Sequence, residues 1–240
     1  MVYKTKGVIL HRIMHADNKM IVHAYTSDYG SKSFMLYFSL RKDKKKRNLI
    51  MAPLSIVLIH ADHKNHSSID SIKEVELIHT PSPYSFHLSK SSIILFLNEI
   101  LYKILFQLDY DVALYEYIEK ALIEFDQHDF LPDFHLRFLI RLTDYLGCCP
   151  NDNYAGDNVS FNCRTARFES DCSCSLEESE TNLWLHILMN QDLFPENKQL
   201  IVPTNIRNSL LKLLLKYYSE HITNLSTLKS HDVLQTVLRQ

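Results

Sequence analysis

Apolar and polar residues alternate in short runs through the first eighty residues of the chain. The runs are rich in Val, Ile, Tyr and Phe, and polar segments such as HADN and SDYGS separate them. A period of two is typical of strands that bury one face. Gly30 is expected to take the left-handed conformation in the turn between strands two and three. The pattern predicts five strands, over residues 6–13, 19–26, 32–38, 54–60 and 68–78.

After the segment TPSPYS at residues 80–85, apolar residues take the spacing of helices. Two prolines one residue apart interrupt any regular element, so we place a domain boundary there. Asp133 is the expected N-cap of the third helix, and Gly147 is the expected residue after its C-cap. The pattern predicts helices over residues 89–106, 111–127, 133–146, 176–190, 205–222 and 227–238.

These elements predict an α+β protein with two domains. Five short strands within about eighty residues suit a small barrel, and the five-stranded OB-fold is a common barrel of this kind. We assign residues 1–80 to an OB-fold domain that binds nucleic acid and residues 81–240 to an all-helical domain. The helical domain carries an irregular, cysteine-containing insertion at residues 148–175, with extended pieces at 159–161 and 166–168.

The composition is that of an ordinary globular protein, with 46% hydrophobic and 22% charged residues. No apolar run reaches the roughly eighteen residues that a membrane-spanning helix needs. The first residues, MVYKTKGVIL, lead into no apolar segment with a small-residue cleavage site. We therefore expect a cytoplasmic protein that does not contact membranes.

The net charge of −2 hides an uneven distribution along the chain. Residues 1–80 contain 13 Lys and Arg against 7 Asp and Glu, whereas residues 81–240 contain 13 against 21. Six cations occupy the seven positions 41–47, which we name the basic run. Like charges in a block most often form a solvated loop. Here aromatic residues precede the run, however, and that combination is typical of proteins that bind single-stranded nucleic acid with little sequence preference.

Strand alternation separates the aromatic residues that precede the basic run. Phe34 and Phe38 share one face of the third strand and Tyr37 lies on the other, so at least one set belongs to the core. We choose Tyr37 as the exposed ring on which a base can stack. Lys4, Lys6 and Lys32 are expected to assist if the barrel presents them on the same side. The residues predicted to contact DNA are Arg41, Lys42, Lys44, Lys45, Lys46, Arg47, Lys4, Lys6, Lys32 and Tyr37.

All five cysteines fall within residues 148–174, which suggests a metal site. Zinc ribbons use paired C-x₂-C hooks, whereas this segment offers C-C, a single Cys and C-x-C. We therefore favour reduced, unpaired thiols and no cofactor. The histidines His60, His63 and His66 are expected at a strand end and turn that need not bring them together. If zinc is bound, its predicted ligands are Cys148, Cys163, Cys172 and Cys174.

The sequence contains no familiar catalytic or nucleotide-binding motif. G-x-x-x-x-G-K-[ST], G-x-G-x-x-G, G-x-S-x-G and H-E-x-x-H are all absent, and only 4 glycines occur in the chain. We therefore predict a protein that is not an enzyme. A nucleophilic pair made by Cys163 and a distant histidine stays open as an alternative, since sequence cannot reveal such a pair.

Several segments, in order, resemble the RecO family of bacterial recombination mediators in the RecF pathway. KGVILHRIMHADNKMIVHAYTSDYGSKSF resembles the first strands of the family, with Gly7, Asp17, Thr26 and Gly30 at the expected places. The basic run followed by x-P-L and an apolar strand resembles the next element. Further similar segments are LNEIL at 97–101, LRFLIRLTDYLG at 136–147 and LLKYYSEHI…LKS at 214–230.

The resemblance implies a DNA repair and recombination mediator with an N-terminal OB-fold and a helical C-terminal domain. Its implied partners are DNA, with single strands preferred over double strands, single-strand-binding protein, RecR and, indirectly, the recombinase RecA. Its implied activities are strand annealing and recombinase loading in association with the nucleoid. Many members of the family bind zinc through two separated C-x₂-C pairs, and this chain departs from that pattern.

Single-strand-binding proteins resemble one another in ending with an acidic tail and a terminal Phe, so their receptor should combine cations with an apolar groove. The third predicted helix carries two arginines one turn apart beside two apolar residues. Ordinary surface ion pairs of these arginines with Asp144 or Asp133 are the alternative. The predicted tail site consists of Arg137, Arg141, Phe138 and Leu142.

For the whole protein, the alternative is a non-catalytic scaffold whose barrel binds protein rather than DNA.

Overall fold

The computed structural model describes residues 1–16, 18–37, 52–63, 69–81, 88–106, 108–156, 158–171, 173–195, 200–225 and 227–238. The strands are β1 Val2–Ala16, β2 Lys19–Thr26, β3 Gly30–Tyr37, β4 Ile56–Asp62, β5 Asp70–His79, β6 Val159–Asn162 and β7 Arg167–Ser170. The helices are α1 Leu88–Leu105, α2 Val112–Gln127, α3 Phe134–Tyr145, α4 Leu176–Met189, α5 Thr204–His221 and α6 Ser230–Leu238. The basic run lies outside the described residues, as do Asp17, Phe38, His66 and Cys172.

Strands β1 to β5 form a closed barrel in the order β1-β2-β3-β5-β4. β1 pairs antiparallel with β4 through its first half and with β2 through its second half. Three parallel residue pairs, from Phe34–Asp70 to Leu36–Ile72, join β3 to β5. Because the long first strand is shared by two partners, five strands suffice to close the sheet. The predicted OB-type barrel followed by helices is confirmed.

Apolar residues that alternate along the strands fill the barrel. In β2 the residues at positions 20, 22 and 24 are buried, while those at 19, 21 and 23 are only partly so. Val22, Phe34 and Ile59 are fully buried, in a cluster to which all five strands contribute. Full burial of such a side chain contributes about 1.5–3 kcal/mol to folding. The hydrophobic period therefore determines which face of each strand points inward.

Gly30 begins β3 in the left-handed conformation, with φ of +63°, as predicted. The connection between α1 and α2 packs against this turn, where the Ser31 N–H donates to the Leu108 carbonyl at 2.9 Å. A Cβ atom on Gly30 would lie 2.5 Å from backbone atoms of Asp109 and Tyr110. Glycine is thus required here by both backbone conformation and close approach.

Helices α3, α4 and α5 pack together, and two tyrosines of α5 donate hydrogen bonds to backbone carbonyls in α3 and just after it. The Tyr218 hydroxyl donates to the Leu139 carbonyl at 2.6 Å, and the Tyr217 hydroxyl donates to the Cys148 carbonyl. α3 ends at Tyr145 with Leu146 as its C-cap, and Gly147 follows with φ of +70°, as predicted. The extended pieces of the insertion pair as the two-stranded sheet β6-β7.

Contacts group the chain into two compact units. One comprises Met1–His87 with Ile94–Gln127, and the other comprises Leu88–Ile93 with His128–Gln240. The domain boundary after residue 80 stays a prediction. Among the described helices, none is long and apolar enough to cross a membrane.

Candidate nucleic-acid interface

The outer surface of β1, β2 and β3 presents aromatic and basic side chains at one end of the sheet. Phe34 is fully buried inside the barrel, whereas Tyr37, three residues later, has 54% of its surface exposed. Lys19 is the cross-strand partner of Tyr37, and its Nζ lies 5.5 Å from the centre of the tyrosine ring. Ile13 and Met14 are also exposed at the end of β1. We name Ile13, Met14, Lys19 and Tyr37 the β1–β3 tip.

The β1–β3 tip combines the two features that single-stranded nucleic acid requires. An exposed ring offers a flat face on which a base can stack, and a nearby ammonium group can neutralise a phosphate. A cation within about 6 Å of a ring also attracts the electron-rich face of that ring, which holds the lysine and the tyrosine together. Because stacking needs no particular base, such a surface binds without reading sequence.

A second group of rings lies on the outer surface of β1 and β2, and sequence reasoning missed it. The ring centroids of His11 and Tyr102 are 4.7 Å apart, and those of Tyr102 and Phe106 are 5.6 Å apart. His23 completes the group, and its Nδ1 lies 2.8 Å from the Ser33 hydroxyl oxygen. Burial and the neighbouring His11 lower the pKa of His23, so this ring is neutral at pH 7. Only the fold brings helix and strand residues together here.

Lys32, one of the cations predicted to contact DNA, is paired with a carboxylate inside the barrel domain. It lies on the same face of β3 as Phe34, and its Nζ lies 2.7 Å from the buried Asp70 carboxylate. The Tyr3 and Tyr29 rings flank the ammonium at 4.8 and 4.7 Å. This cation is therefore paired within the fold, and its contact with DNA stays a prediction.

Asp70 is the common partner of Tyr3, Lys32 and His63, and we name these four residues the barrel-end cluster. Its carboxylate also accepts a hydrogen bond from the Tyr3 hydroxyl and lies 2.7 Å from His63 Nδ1. Burial opposes ionisation, but hydrogen bonds from Lys32, Tyr3 and His63 outweigh it and lower the pKa of Asp70 to about 2. Burial and the same hydrogen bond raise the pKa of Tyr3. The cluster joins β1, β3 and β5 at the point where β3 and β5 share few backbone pairs.

Lys4 and Lys6 lie on the first half of β1, opposite β4, and are not brought to the β1–β3 tip. Lys6 is roughly ten residues of strand, or about 30 Å along β1, from the residue that pairs with Lys19. The Lys6 ammonium also lies 3.2 Å from the Glu119 carboxylate. The fold therefore separates the strand lysines that sequence reasoning had grouped.

The predicted tail site on α3 is not a surface site. Arg137 is only 1% exposed, and its guanidinium lies 3.2 Å from the buried Asp133 carboxylate. The same guanidinium donates to the Gln191 side chain at 3.0 Å and to the Leu200 carbonyl. The two apolar members of the predicted site, Phe138 and Leu142, are fully buried.

Arg141 is partly exposed, but it also has partners on the protein. It lies 3.7 Å from Asp144 and donates to the Gln191 carbonyl at 2.7 Å. Both arginines therefore have the carboxylate partners that the alternative named, but the Arg137–Asp133 pair is buried and only the Arg141–Asp144 pair lies at the surface. Asp133 occupies the N-cap position of α3 without a side-chain cap hydrogen bond, because its carboxylate instead binds Arg137 and the Val202 N–H.

The described cysteines do not fit the zinc site that the family resemblance implies. Cys163 is buried, with its Sγ 3.9 Å from the Leu213 carbonyl, whereas the Cys174 Sγ lies 3.7 Å from the Val159 carbonyl. Burial raises the pKa of the Cys148, Cys163 and Cys174 thiols. Within the described ranges, no three metal-ligating groups that include a cysteine converge.

The alternative nucleophilic pair at Cys163 is not supported by the contacts of this residue. His221 Nε2 lies 2.6 Å from the Cys163 carbonyl oxygen rather than from its sulfur. Burial also raises the pKa of the thiol, which lowers the fraction of thiolate that a nucleophile needs.

Comparison with known proteins agrees with this architecture. Residues 1–81 match the family described as recombination protein O N terminal, and residues 85–231 match recombination protein O C terminal. Proteins named DNA repair protein RecO from Flavobacterium johnsoniae and Flavobacterium psychrophilum are each 31% identical, with 98% of both chains covered. One from Azobacteroides pseudotrichonymphae is 30% identical, with 99% of both chains covered.

An OB-type barrel followed by a helical part, with these matches over nearly the whole length, defines a protein of DNA repair and recombination. The chain belongs to the RecO family.

Proposed function

We propose that this protein is a non-catalytic recombination mediator that holds DNA, preferably single-stranded, on the β1–β3 tip and the adjacent basic run. The observation that carries the proposal is the exposed Tyr37 ring with the Lys19 ammonium above it. In the sequence, Arg41 follows Tyr37 by four residues, and four residues span at most about 14 Å. The ring and the start of the basic run can therefore contact the same DNA strand.

The mediator role follows from electrostatics without any chemistry on the bases. Two DNA strands repel each other, and cations that neutralise their phosphates lower that barrier to annealing. The family supports single-strand-binding protein, RecR and, indirectly, RecA as partners, and a place at the cytoplasmic nucleoid. Since Arg137 is buried, the tail of single-strand-binding protein must bind elsewhere than on that arginine.

The experiment that tests the proposal compares two variants with equal loss of charge. Replacement of all six basic-run cations by Ala changes the net charge from −2 to −8 and should abolish most binding to a single-stranded oligonucleotide, together with annealing. The matched control replaces six exposed cations that belong to none of the five barrel strands, and it should keep the affinity of the wild type. The control positions are Lys120, Arg164, Arg167, Lys212, Lys216 and Lys229.

Affinity would be measured by fluorescence anisotropy at low salt, with circular dichroism as the check on folding. Equal affinity of the basic-run variant and the wild type would reject the proposal. That result would favour the alternative scaffold, whose barrel binds protein rather than DNA.

A further inference from the structure

Three potential metal ligands converge on the outer surface of β4 and β5, away from the β1–β3 tip. His60 is the cross-strand partner of Glu74, and Glu76 lies two residues further along β5 on the same face. His60 Nδ1 lies 3.9 Å from Glu74 Oε2, and His60 Nε2 lies 3.2 Å from Glu76 Oε1. One ligand atom from each residue lies within 4.8 Å of the other two. We name this group the β4–β5 triad.

The histidine of the β4–β5 triad contains an unsatisfied nitrogen. His60 Nε2 is shielded from solvent and has no hydrogen-bond partner among the residues that the structure describes, since its contact with Glu76 lacks hydrogen-bond geometry. The His60 side chain is 14% exposed, whereas Glu74 and Glu76 are 61% and 56% exposed. A shielded nitrogen without a partner costs free energy, and a metal ion between the ring and the carboxylates would remove that cost.

The negative charge of the β4–β5 triad is also uncompensated by Lys or Arg within the described residues. Asp62, two residues after His60 on β4, is already paired with the N-terminal amine at 3.3 Å and with Lys73 at 3.5 Å. Lys4 is the partner of His60 on the neighbouring strand, and it is the cation that would compete with a metal ion. Two carboxylates beside one imidazole therefore leave room for a divalent charge.

The geometry points to a binding site for a divalent transition-metal ion of the Zn²⁺ class at His60, Glu74 and Glu76. One imidazole and two carboxylates form a ligand set that zinc accepts, with a fourth position left to water. Tetrahedral zinc needs ligand atoms roughly 3.4 Å apart, which small rotations of the exposed glutamates supply. Mg²⁺ keeps its water shell and prefers oxygen ligands, so it should bind weakly. A bound ion would join β4 to β5.

The test is a Zn²⁺ titration of the full chain by calorimetry after removal of metals with EDTA. We expect one site on the β4–β5 triad. Glu74→Gln with Glu76→Gln, or His60→Asn alone, should weaken its affinity at least tenfold, the scale on which lost ligand interactions act. The matched control, Glu116→Gln with Glu180→Gln, removes two exposed carboxylates elsewhere and should bind zinc as the wild type does.

Co²⁺ used as a spectroscopic probe distinguishes the β4–β5 triad from the cysteines. Nitrogen and oxygen ligands give visible bands without the near-ultraviolet charge transfer that thiolates produce. Absence of Zn²⁺ binding, unchanged binding in both triad variants, or a thiolate band that accounts for all the bound cobalt would overturn the inference. Circular dichroism of each variant ensures that a loss of binding is not a loss of folding.

Discussion

Substitution of the exposed Tyr37 distinguishes a surface that binds DNA from a surface that contacts only solvent. Tyr37→Ala should weaken binding to a single-stranded oligonucleotide by about 1–3 kcal/mol, roughly 5- to 150-fold, because one base loses its stacking partner. Tyr37→Phe keeps the ring and should retain most of the affinity. Tyr110→Ala is the control, since this tyrosine is 63% exposed elsewhere. Equal affinities of all three variants, measured by anisotropy, would exclude Tyr37 from the interface.

Asp70 is the side chain whose ionisation should matter most for barrel stability. Its pKa of about 2 in the folded protein lies below the ordinary value of about 3.9. Ionised Asp70 therefore contributes stability above pH 4, and this contribution is lost as the pH falls from 4 to 2. The difference corresponds to about 2.5 kcal/mol at neutral pH.

Asp70→Asn should therefore lower the free energy of unfolding at pH 7 by about 2.5 kcal/mol and flatten its dependence on pH between 4 and 2. Urea unfolding followed by circular dichroism measures both effects. Asp129→Asn, at an exposed position outside the barrel-end cluster, should leave the pH profile unchanged. A wild-type profile in the Asp70 variant would show that the buried pair with Lys32 contributes no net stability.

Among the secondary-structure elements, the turn between β2 and β3 depends most on one residue. Gly30→Ala combines a left-handed backbone with contacts of 2.5 Å to the α1–α2 connection. Gly147→Ala provides the matched comparison, because it has φ of +70° and no atom within 4 Å of the added Cβ. The backbone conformation alone costs about 1–2 kcal/mol, so the Gly30 variant should lose more, by the additional cost of about 1–3 kcal/mol for overpacking.

The two glycine variants would be compared by their urea midpoints under the same conditions. Equal losses of stability would mean that the α1–α2 connection moves aside without cost. A larger loss at Gly30 would show that this connection is held rigidly against the barrel.

Helix and strand bounds were predictable because they follow from local order in the chain. Most predicted elements agree with the structure to within two residues, since the alternation in β2 and the apolar spacing in α3 each lie within one short segment. The environment of individual cations was less predictable. The buried Arg137 donates a hydrogen bond to the carbonyl of Leu200, which lies 63 residues further along the chain. No local pattern in the sequence reveals such a partner.

For the whole molecule, the uneven charge distribution predicts how DNA binding responds to salt. Binding of single strands weakens with salt by a slope of about 0.7 for each phosphate neutralised. Substitution of the six basic-run cations by Ala should therefore reduce the slope of log affinity against log salt by up to about 4. The six-cation control variant should keep the wild-type slope. A basic-run variant with an unchanged slope would place the phosphate contacts on other cations.

The order of elements, the OB-type barrel and the family could be recognised from residue pattern and motif order, because neighbouring residues carry that information. Which cations remain available to DNA depends on the folded chain. Lys32 is neutralised by Asp70 and Arg137 by Asp133, while Lys19 reaches the exposed Tyr37 ring. The grouping of His60, Glu74 and Glu76 likewise required the pairing of β4 with β5. A side chain acquires its charge environment from partners that are distant in sequence, and these meet only when the sheet closes and the helices pack.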